Sequence, residues 1–331
     1  MNKQNRILVA ILAVQIVILV IVFWPETSAA RGQRLFGELQ ADQAVKLTIS
    51  DAEGQQIQMA KGADGWVLPG ADDFPVEEEK VRALLAKIVD LRADRLVTRT
   101  RDSHKRLQVA GDDFQRLIEF ELQDGPRHKL YLGSSPRYQV LHVRADDQDQ
   151  VYLALGLTVA DAGAGIAAWV DTNYFSVSAD QIKKLTLENR NGRFQFEKDE
   201  AGTWTMINLP PGETLLENNV ASLATRVSSL RMVRPLGREE EPSYGLDDPN
   251  AVVTVEARDE EGNERTYIVR VGAALDEEAG QGYVVKSATA PYYVLMAEYT
   301  VRDLMERTLQ DFLEVPATPT PEAAPEATPA P

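Results

Sequence analysis

Cysteine is absent from this chain of 331 residues, and histidine occurs only three times. Without cysteine the chain has no disulfide, no thiolate nucleophile, no sulfur ligand for a metal and no cysteine to carry a lipid. The histidines, His104, His128 and His142, have no partner at the spacing of a metal site. We expect His104 and His128 to be solvated and His142 to lie on a strand. The sequence therefore predicts no metal site and no cofactor.

Sequence motifs for catalysis are also missing. The chain has no Gly-x-Ser-x-Gly nucleophile elbow, no phosphate-binding loop and no dinucleotide-binding glycine pattern. No residue is identified as catalytic, and the sequence predicts a protein that is not an enzyme.

Basic residues are outnumbered, since 35 Lys and Arg stand against 51 Asp and Glu. The formal net charge is −16, and because residues 1–30 carry +1, the rest of the chain carries −17. A body this acidic is not expected to bind nucleic acid or an anionic lipid surface. The densest basic segment, Arg95–Arg106, faces either an acidic surface of the same protein, which we favour, or an anionic envelope polymer. The acidic runs Asp146–Asp149 and Asp259–Gly262 lack calcium-loop spacing and are predicted to be solvated hairpin turns.

One long apolar run is present, from Ile7 to Trp24. As a helix its eighteen residues would span about 27 Å, close to the hydrocarbon thickness of a bilayer. Lys3 and Arg6 precede the run, so the N-terminus is expected in the cytoplasm and the body outside it, on a single-pass cell-membrane protein. A cleaved signal peptide is the alternative because Ser28 and Ala30 offer a cleavage site, but the run is longer than a usual signal core.

The C-terminal residues are of the opposite kind. Val315–Pro331 contains only Pro, Ala, Thr, Glu and Val, and such a composition cannot bury a core. The predicted segments are a cytoplasmic N-terminus at 1–6, a transmembrane anchor at 7–24, a linker at 25–41, a first α+β repeat at 42–175, a second α+β repeat at 176–314 and a disordered tail at 315–331.

The two repeats follow from an internal similarity. Lys46–Ile49 matches Lys184–Leu187, and Trp66 matches Trp204 at the same offset. Two apolar series with helical spacing also match, Val81, Leu84, Ile88 and Leu91 in the first copy and Val220, Leu223, Val227 and Leu230 in the second. Each copy reads as a hairpin, a helix, two further hairpins and a closing helix. The predicted fold class is therefore α+β, with two tandem copies of an antiparallel-sheet unit with helices, preceded by one transmembrane helix.

The recurring tryptophans, Trp66 and Trp204, each follow a hairpin signal in a short strand. A large aromatic at the same register in both copies is expected to pack under the following helix. A ligand platform is the alternative, but no convergent polar groups lie nearby in the sequence.

A further motif lies in the second copy, where Tyr244-Gly245-Leu246-Asp247 and then Pro249 precede an alternating strand, a turn, a strand and a glycine. This pattern resembles the bacterial family catalogued as domain of unknown function 4340, over roughly residues 40–314. In the first copy "RLQVAGDD" stands in place of the motif. The resemblance implies a membrane-anchored protein outside the cytoplasm that accompanies ABC-type transport systems, including relatives of gliding-motility exporters. It brings no catalytic residues.

The residue types of the motif also predict its backbone conformation. Gly245 permits a positive φ angle, Asp247 favours a turn, and Pro249 pushes the preceding residue towards extended geometry. We therefore expect a turn leading into a strand, and a partner contact through an exposed Tyr244 is the alternative.

The functional hypothesis is a non-enzymatic accessory or scaffolding protein of an ABC-type envelope transport complex. Its expected partners are the membrane, through residues 7–24, and permease or substrate-binding-like subunits. The first alternative is a glycan-binding or adhesion module, which requires a groove of exposed aromatics such as Tyr292, Tyr293 and Tyr299. The second is a hydrolase with a dispersed pair of carboxylates, one with a raised pKa.

Overall fold

The computed structural model describes Gln15 and residues 33–93, 95–123, 125–259, 261–277 and 280–314. Apart from Gln15, the predicted anchor at 7–24 and the predicted tail at 315–331 lie outside these ranges. No helix within them is long and apolar enough to cross a membrane.

These ranges contain nineteen β-strands and three α-helices. The first ten strands are β1 Ala44–Asp51, β2 Gln56–Lys61, β3 Trp66–Leu68, β4 Phe74–Pro75, β5 Leu96–Thr98, β6 Arg116–Leu122, β7 Arg127–Leu132, β8 Val140–Ala145, β9 Val151–Leu155 and β10 Asn173–Ser176. The others are β11 Ile182–Asn189, β12 Gly192–Lys198, β13 Trp204–Met206, β14 Ser229–Arg231, β15 Arg234–Gly237, β16 Ala251–Arg258, β17 Glu264–Glu277, β18 Gly280–Ser287 and β19 Tyr293–Ala297. The helices are α1 Glu78–Val89, α2 Glu217–Val227 and α3 Glu298–Glu306.

The chain forms two compact units. The first contains residues 33–56 and 79–164, and the second contains residues 57–78 and 165–314. The boundaries of the tandem copies, 42–175 and 176–314, remain a sequence-based prediction, because a compact unit does not have to coincide with a repeated stretch of sequence.

The first unit is built on an antiparallel sheet with the strand order β1-β6-β7-β8-β9-β5. Alternate side chains of β1 and β6 are buried, including Leu47, Ile49, Ile118 and Phe120. Such alternation arises because successive side chains of a strand point to opposite faces of the sheet. One face of this sheet therefore forms the core of the first unit.

The second unit contains an eight-stranded antiparallel sheet with the order β13-β12-β11-β16-β17-β18-β19-β15. It also contains the antiparallel pairs β2–β3, β3–β4 and β10–β14. Helix α2 packs against β13 and β14, and α3 packs against β11, β16, β18 and β19. The order β11-β16-β17-β18-β19-β15 repeats that of the six strands in the first unit.

The apolar helix faces predicted from the sequence are confirmed. Val81, Leu84, Ile88 and Leu91 are at most 3% exposed, and Val220, Leu223, Val227 and Leu230 are at most 2% exposed. The spacing of three and four residues places the first three residues of each series on one side of its helix, which is the side that the core requires. Leu91 and Leu230 lie just beyond the helix ends, and Leu230 is on β14.

The α+β class is wrong. With nineteen strands and three helices, the described chain is mainly antiparallel β, and the transmembrane helix of the prediction is not among its helices. Several strands have only two or three residues, such as β4 and β5, and segments that short show no alternation from which a strand is predicted.

The closing helix of the first copy also differs from the prediction. The chain forms two short 3₁₀ helices there, Val159–Ala162 and Ile166–Ala168, whereas the second copy forms α3. Gly163 and Gly165 lie in or beside this segment, and a glycine costs a helix about 1 kcal/mol relative to alanine. The sequence of α3 contains no glycine.

Candidate functional site

The Tyr-Gly-Leu motif is a buried turn that lies across strand β17. Tyr244 ends a 3₁₀ helix and is 4% exposed, and Leu246 is 7% exposed. Gly245 has a φ angle of +61°, as the sequence predicted. A Cβ atom added to Gly272 on β17 would lie 2.1 Å from the carbonyl oxygen of Tyr244. The glycine of β17 therefore allows the motif to approach the sheet.

The residues after the turn lead the chain into strand β16. Asp247 is exposed and Pro249 is half-buried. The main-chain N–H of Asn250 donates to the carbonyl of Val271 at 2.8 Å, and its side-chain amide donates to the carbonyl of Gly272 at 2.6 Å. The turn interpretation is confirmed. The alternative of a partner contact through an exposed Tyr244 is wrong, because the ring of Tyr244 is buried.

The first unit contains the same arrangement without the motif. Gln108 has a φ angle of +55°, and a Cβ atom on Gly133 would lie 2.1 Å from the carbonyl oxygen of Leu107. Leu107 is 4% exposed and Val109 is fully buried. Leu107-Gln108-Val109 thus corresponds in backbone and burial to Tyr244-Gly245-Leu246. Sequence reasoning missed this correspondence, although Gly133 and Gly272, at matching places in the two copies, were a signal that could have revealed it.

An aromatic cluster surrounds the motif in the second unit. The rings of Tyr244 and Tyr293 are 5.4 Å apart, and the hydroxyl of Tyr293 donates to the Glu240 carboxylate at 3.0 Å. Burial and this carboxylate raise the pKa of Tyr293. The Lys286 ammonium lies 4.8 Å from the centre of the Tyr293 ring and donates to the carbonyl of Ala290. Burial lowers the pKa of Lys286, and the negative charge of Glu240 opposes that change.

Tyr292 holds a second group of contacts in the same unit. Its hydroxyl accepts a hydrogen bond from Arg238 at 2.5 Å and donates to the carbonyl of Asp73 at 3.0 Å. The main-chain N–H of Arg238 donates to the Asp72 carboxylate at 2.7 Å. Both aspartates have positive φ angles, +50° and +59°, which few residues other than glycine adopt. These hydrogen bonds hold the turn at Asp72 and Asp73 in that conformation.

Tyr174 bonds the main chain beside Tyr292 in the same unit. Its hydroxyl donates to the carbonyl of Tyr292 at 2.7 Å and accepts from the main-chain N–H of Ser287 at 2.8 Å. Burial raises the pKa of Tyr174 to about 12, although the hydrogen bond from Ser287 opposes the shift. The hydroxyl is therefore a neutral structural donor at physiological pH.

The three aromatics expected to line a glycan groove do not lie on one exposed surface. Tyr292 is 6% exposed and Tyr293 is 8% exposed, whereas Tyr299 is 75% exposed. Tyr292 and Tyr293 use their hydroxyl groups within the unit, so only Tyr299 offers its ring to a ligand.

Both tryptophans are in the core. Trp66 is 6% exposed and Trp204 is 5% exposed, and β13, which carries Trp204, packs against α2. The carbonyl of Trp66 accepts from the main-chain N–H of Val76 at 2.9 Å. Buried rings of this kind stabilise the fold and present no flat face to a ligand.

The histidines differ from the prediction of solvated side chains. His104 is 7% exposed, and its Nε2 lies 2.9 Å from the carbonyl oxygen of Asp149. His128 is half-buried on β7, with Nδ1 3.2 Å from Asp146 Oδ2. His142 lies on β8 as predicted and bonds Ser134. The charged neighbours of His104 in the sequence gave no sign of its buried contact.

Two cations of the basic segment pair with aspartates of the same unit. Arg101 donates to the Asp149 carboxylate at 2.7 Å, and Lys105 lies 2.7 Å from the Asp112 carboxylate. The hydrogen bond from Arg101 lowers the pKa of Asp149, and that from Lys105 lowers the pKa of Asp112. The favoured prediction, an acidic surface of the same protein, is confirmed for these two cations.

The carboxyl groups with altered acidity are all stronger acids than usual. Their lowered pKa values belong to Asp112, Asp149, Asp161, Asp259 and Asp311. For Asp259 the largest cause is a main-chain hydrogen bond from Asn263, across a turn of the kind predicted for this acidic run. Across the ranges that the structure describes, no group of three or more acidic or histidine side chains is arranged to hold a metal ion.

The segment that matches a family model begins in the first copy and ends in the second. The model of the family described as Domain of unknown function (DUF4340) matches residues 66–249, which begin at Trp66 and end at Pro249. No curated protein and no solved structure matches the chain. Since the family match covers more than half of the 331 residues, the chain belongs to the DUF4340 family.

Proposed function

We propose that the chain is a non-enzymatic accessory or scaffolding protein of an ABC-type envelope transport complex. Its N-terminal apolar residues, 7–24, attach it to the cell membrane, and its body lies outside the cytoplasm. The apolar run and the two cations before it support the location. The implied association of the family with ABC-type systems supports the kind of complex.

One structural observation carries the scaffolding proposal. Strand β5 ends the sheet of the first unit, and among the described residues it pairs only with β9. Leu96 and Val97 on β5 are 40% and 39% exposed, Leu155 on β9 is 51% exposed, and Tyr138 before β8 is 87% exposed. The main-chain N–H of Gly156 donates to the carbonyl of Gln139, which brings the neighbours Leu155 and Tyr138 together.

A strand edge with apolar side chains beside it is suited to protein binding. The free main-chain groups of an edge strand accept a strand from a partner, and the apolar side chains add contact area. We call this region the β5 edge: it comprises Leu96 and Val97 on β5 and the exposed Leu155 and Tyr138 at the paired ends of β9 and β8. The buried motif residues serve the fold, whereas the β5 edge remains available to another subunit.

Purification from membranes tests the proposal. The full-length protein is isolated in a mild detergent, and the permease and ATPase subunits that accompany it are quantified. Tyr138→Ser is expected to reduce their yield about tenfold, as the loss of a central aromatic does at many interfaces. Tyr299→Ser is the matched control, since it removes a tyrosine that is also exposed, at 75%, from the second unit.

Two results would contradict the proposal. If the wild-type protein brings down neither a permease nor an ATPase, the association with a transport complex is wrong. If Tyr299→Ser reduces the yield as much as Tyr138→Ser, the β5 edge is not the contact surface.

The location has its own test. A reporter enzyme that is active only outside the cytoplasm, fused after Glu314, is expected to be active. Activity of a reporter that works only in the cytoplasm, fused at the same residue, would show the opposite orientation.

A further inference from the structure

A pocket of about 350 Å³ opens on the surface of the first unit. Its lining includes Arg101, His104, Lys105, Tyr131, Arg144 and Asp147. Three of these residues are Arg or Lys and one is Asp, although the chain carries a formal net charge of −16. Neither the family motif nor the β5 edge accounts for it.

Arg144 is the buried cation of this pocket. It is 6% exposed, and its guanidinium carbon lies 3.9 Å from the centre of the Tyr131 ring. Its Nε donates to the carbonyl of Val109 at 2.6 Å, and its Nη1 donates to the carbonyl of Asp146 at 2.7 Å. These acceptors fix the plane of the guanidinium group against the Tyr131 ring.

The charge of Arg144 is held without a salt bridge within the described ranges, although it is close enough to Asp149 to lower the pKa of that carboxyl. Its hydrogen bonds in the described chain all go to main-chain carbonyls, and they leave Nη2 without an acceptor. No Asp or Glu among the described residues forms a salt bridge with it. No buried side-chain nitrogen or oxygen among the described residues lacks a hydrogen-bond partner, so Nη2 is open to solvent. An anion that reaches Nη2 gains a charge-assisted hydrogen bond.

The rim of the pocket adds two cations with exposed side chains. Arg101 and Lys105 are 75% and 69% exposed along their side chains, and they pair with Asp149 and Asp112. Exposed pairs of this kind contribute little to stability, so either cation can exchange its carboxylate for a ligand.

The acidic residue in the lining limits what can bind. The carboxylate of Asp147 is exposed and near enough to Arg101 to influence its pKa. Together with the net charge of the chain, it repels an extended polyanion. A ligand with one oxyanion group, a carboxylate or a phosphate, avoids most of this repulsion.

We propose that the pocket binds one oxyanion group of a small molecule or of a polymer end. Nη2 of Arg144 is the donor at its floor, and Arg101 and Lys105 are the donors at its rim. Tyr131 positions Arg144 by stacking against it. This site is additional to the scaffolding role and does not depend on it.

Isothermal titration calorimetry of the full-length protein in mild detergent tests the site, with inorganic phosphate and glucuronate as separate probes. We expect saturable binding of at least one probe with a Kd in the millimolar range. The double variant R101Q/K105Q is expected to weaken that binding about tenfold, as the loss of charge-assisted hydrogen bonds does.

R127Q/K129Q is the matched control. Arg127 and Lys129 are also ion-paired cations of the first unit, 78% and 44% exposed, and neither lines the pocket. This variant removes the same charge as R101Q/K105Q, so a general effect of charge would appear in both. We expect its Kd to stay within about twofold of the wild type.

The floor is tested with Arg144→Lys, which keeps the charge and loses the planar donor pair. Weaker binding at an unchanged melting temperature supports the proposal. Because Arg144 also holds Val109, a lower melting temperature would show a loss of folding, and the rim variant then decides.

Saturation by either probe, with loss in R101Q/K105Q alone, supports the site and shows which oxyanion it takes. No saturation by either probe, or equal effects of the rim variant and its control, would overturn the proposal.

Discussion

The carbonyl oxygen of Tyr244 lies so close to Gly272 that a Cβ atom on this glycine would be 2.1 Å from it. The same relationship joins Leu107 and Gly133 in the first unit, again at 2.1 Å. Bonded neighbours aside, heavy atoms do not approach to this distance, so any other residue would displace the turn. In each unit a turn with a positive φ angle thus packs against a glycine, Gly272 within β17 and Gly133 directly after β7.

Gly272→Ala is expected to destabilise the protein by about 3 kcal/mol, because the added methyl group forces the turn away from β17. The measurement is urea unfolding of the full-length protein, followed by circular dichroism. Gly70→Ala is the control within the same unit, since a Cβ atom on Gly70 meets no atom within 4 Å. Equal urea midpoints for Gly272→Ala and the wild type would show that the close approach does not exist in solution.

The sequence predicted those parts of the fold that depend on periodicity. The spacing of Val81, Leu84 and Ile88 identified a buried helix face, and all three are at most 2% exposed. It failed where the element is too short for a period, as in Phe74–Pro75. It also failed at the closing segment of the first copy, where glycines weaken the helix that the matching second copy forms.

The candidate sites were less predictable because they depend on contacts between distant residues. His104 lies among charged neighbours in the sequence, yet its ring reaches Asp149 and is buried. The contacts of Arg144 could not be predicted from the sequence, because its partners are main-chain carbonyls, which every residue has. Gln108 is not a glycine, so its positive φ angle could not be anticipated from its residue type.

Tyr174→Phe is expected to lower stability by about 1–3 kcal/mol at pH 8, because it leaves the buried N–H of Ser287 without its acceptor. The fold raises the pKa of Tyr174 from 10.0 to about 12. It therefore favours the neutral hydroxyl. That contribution is complete below pH 10 and is lost as the pH rises towards about 12. The stability gap between wild type and variant is therefore expected to shrink between these two pH values.

Urea midpoints at pH 8 and pH 11 check this expectation. Tyr299→Phe is the matched control, since Tyr299 is exposed in the same unit. We expect the control to change stability little at either pH. A gap for Tyr174→Phe that is the same at pH 11 as at pH 8 would contradict the assignment of the raised pKa to Tyr174.

Asp161 is expected to contribute stability that disappears in acid. Burial alone would raise its pKa, but hydrogen bonds from Lys87 at 2.7 Å and from Thr158 at 2.8 Å outweigh burial and lower it. Because the folded pKa is below the unfolded value of about 4, the stabilisation is complete above that pH and is lost as the pH falls through the folded pKa.

Asp161→Asn is therefore expected to cost about 1–2 kcal/mol at pH 7 and much less near pH 3. Thermal unfolding at both pH values measures the difference. Asp112→Asn is the control, because Asp112 is exposed and pairs with exposed Lys105 in the same unit. Its melting temperature at pH 7 is expected to match the wild type. A cost of Asp161→Asn that is equal at pH 7 and pH 3 would rule out the linkage.

A swap of residues between the two corresponding turns is expected to give unequal results. Gly245→Gln requires a side chain at a φ angle of +61°, and its Cβ would lie 3.0 Å from the Cβ of Ala273. We expect a loss of about 2 kcal/mol or more. Gln108→Gly relieves a positive φ angle and loses one hydrogen bond from Gln115, at 2.9 Å, so these effects nearly cancel. The unfolding free energy of both variants is measured by urea titration. If Gln108→Gly costs as much as Gly245→Gln, the side chain of Gln108 holds its turn and the two turns are built on different interactions.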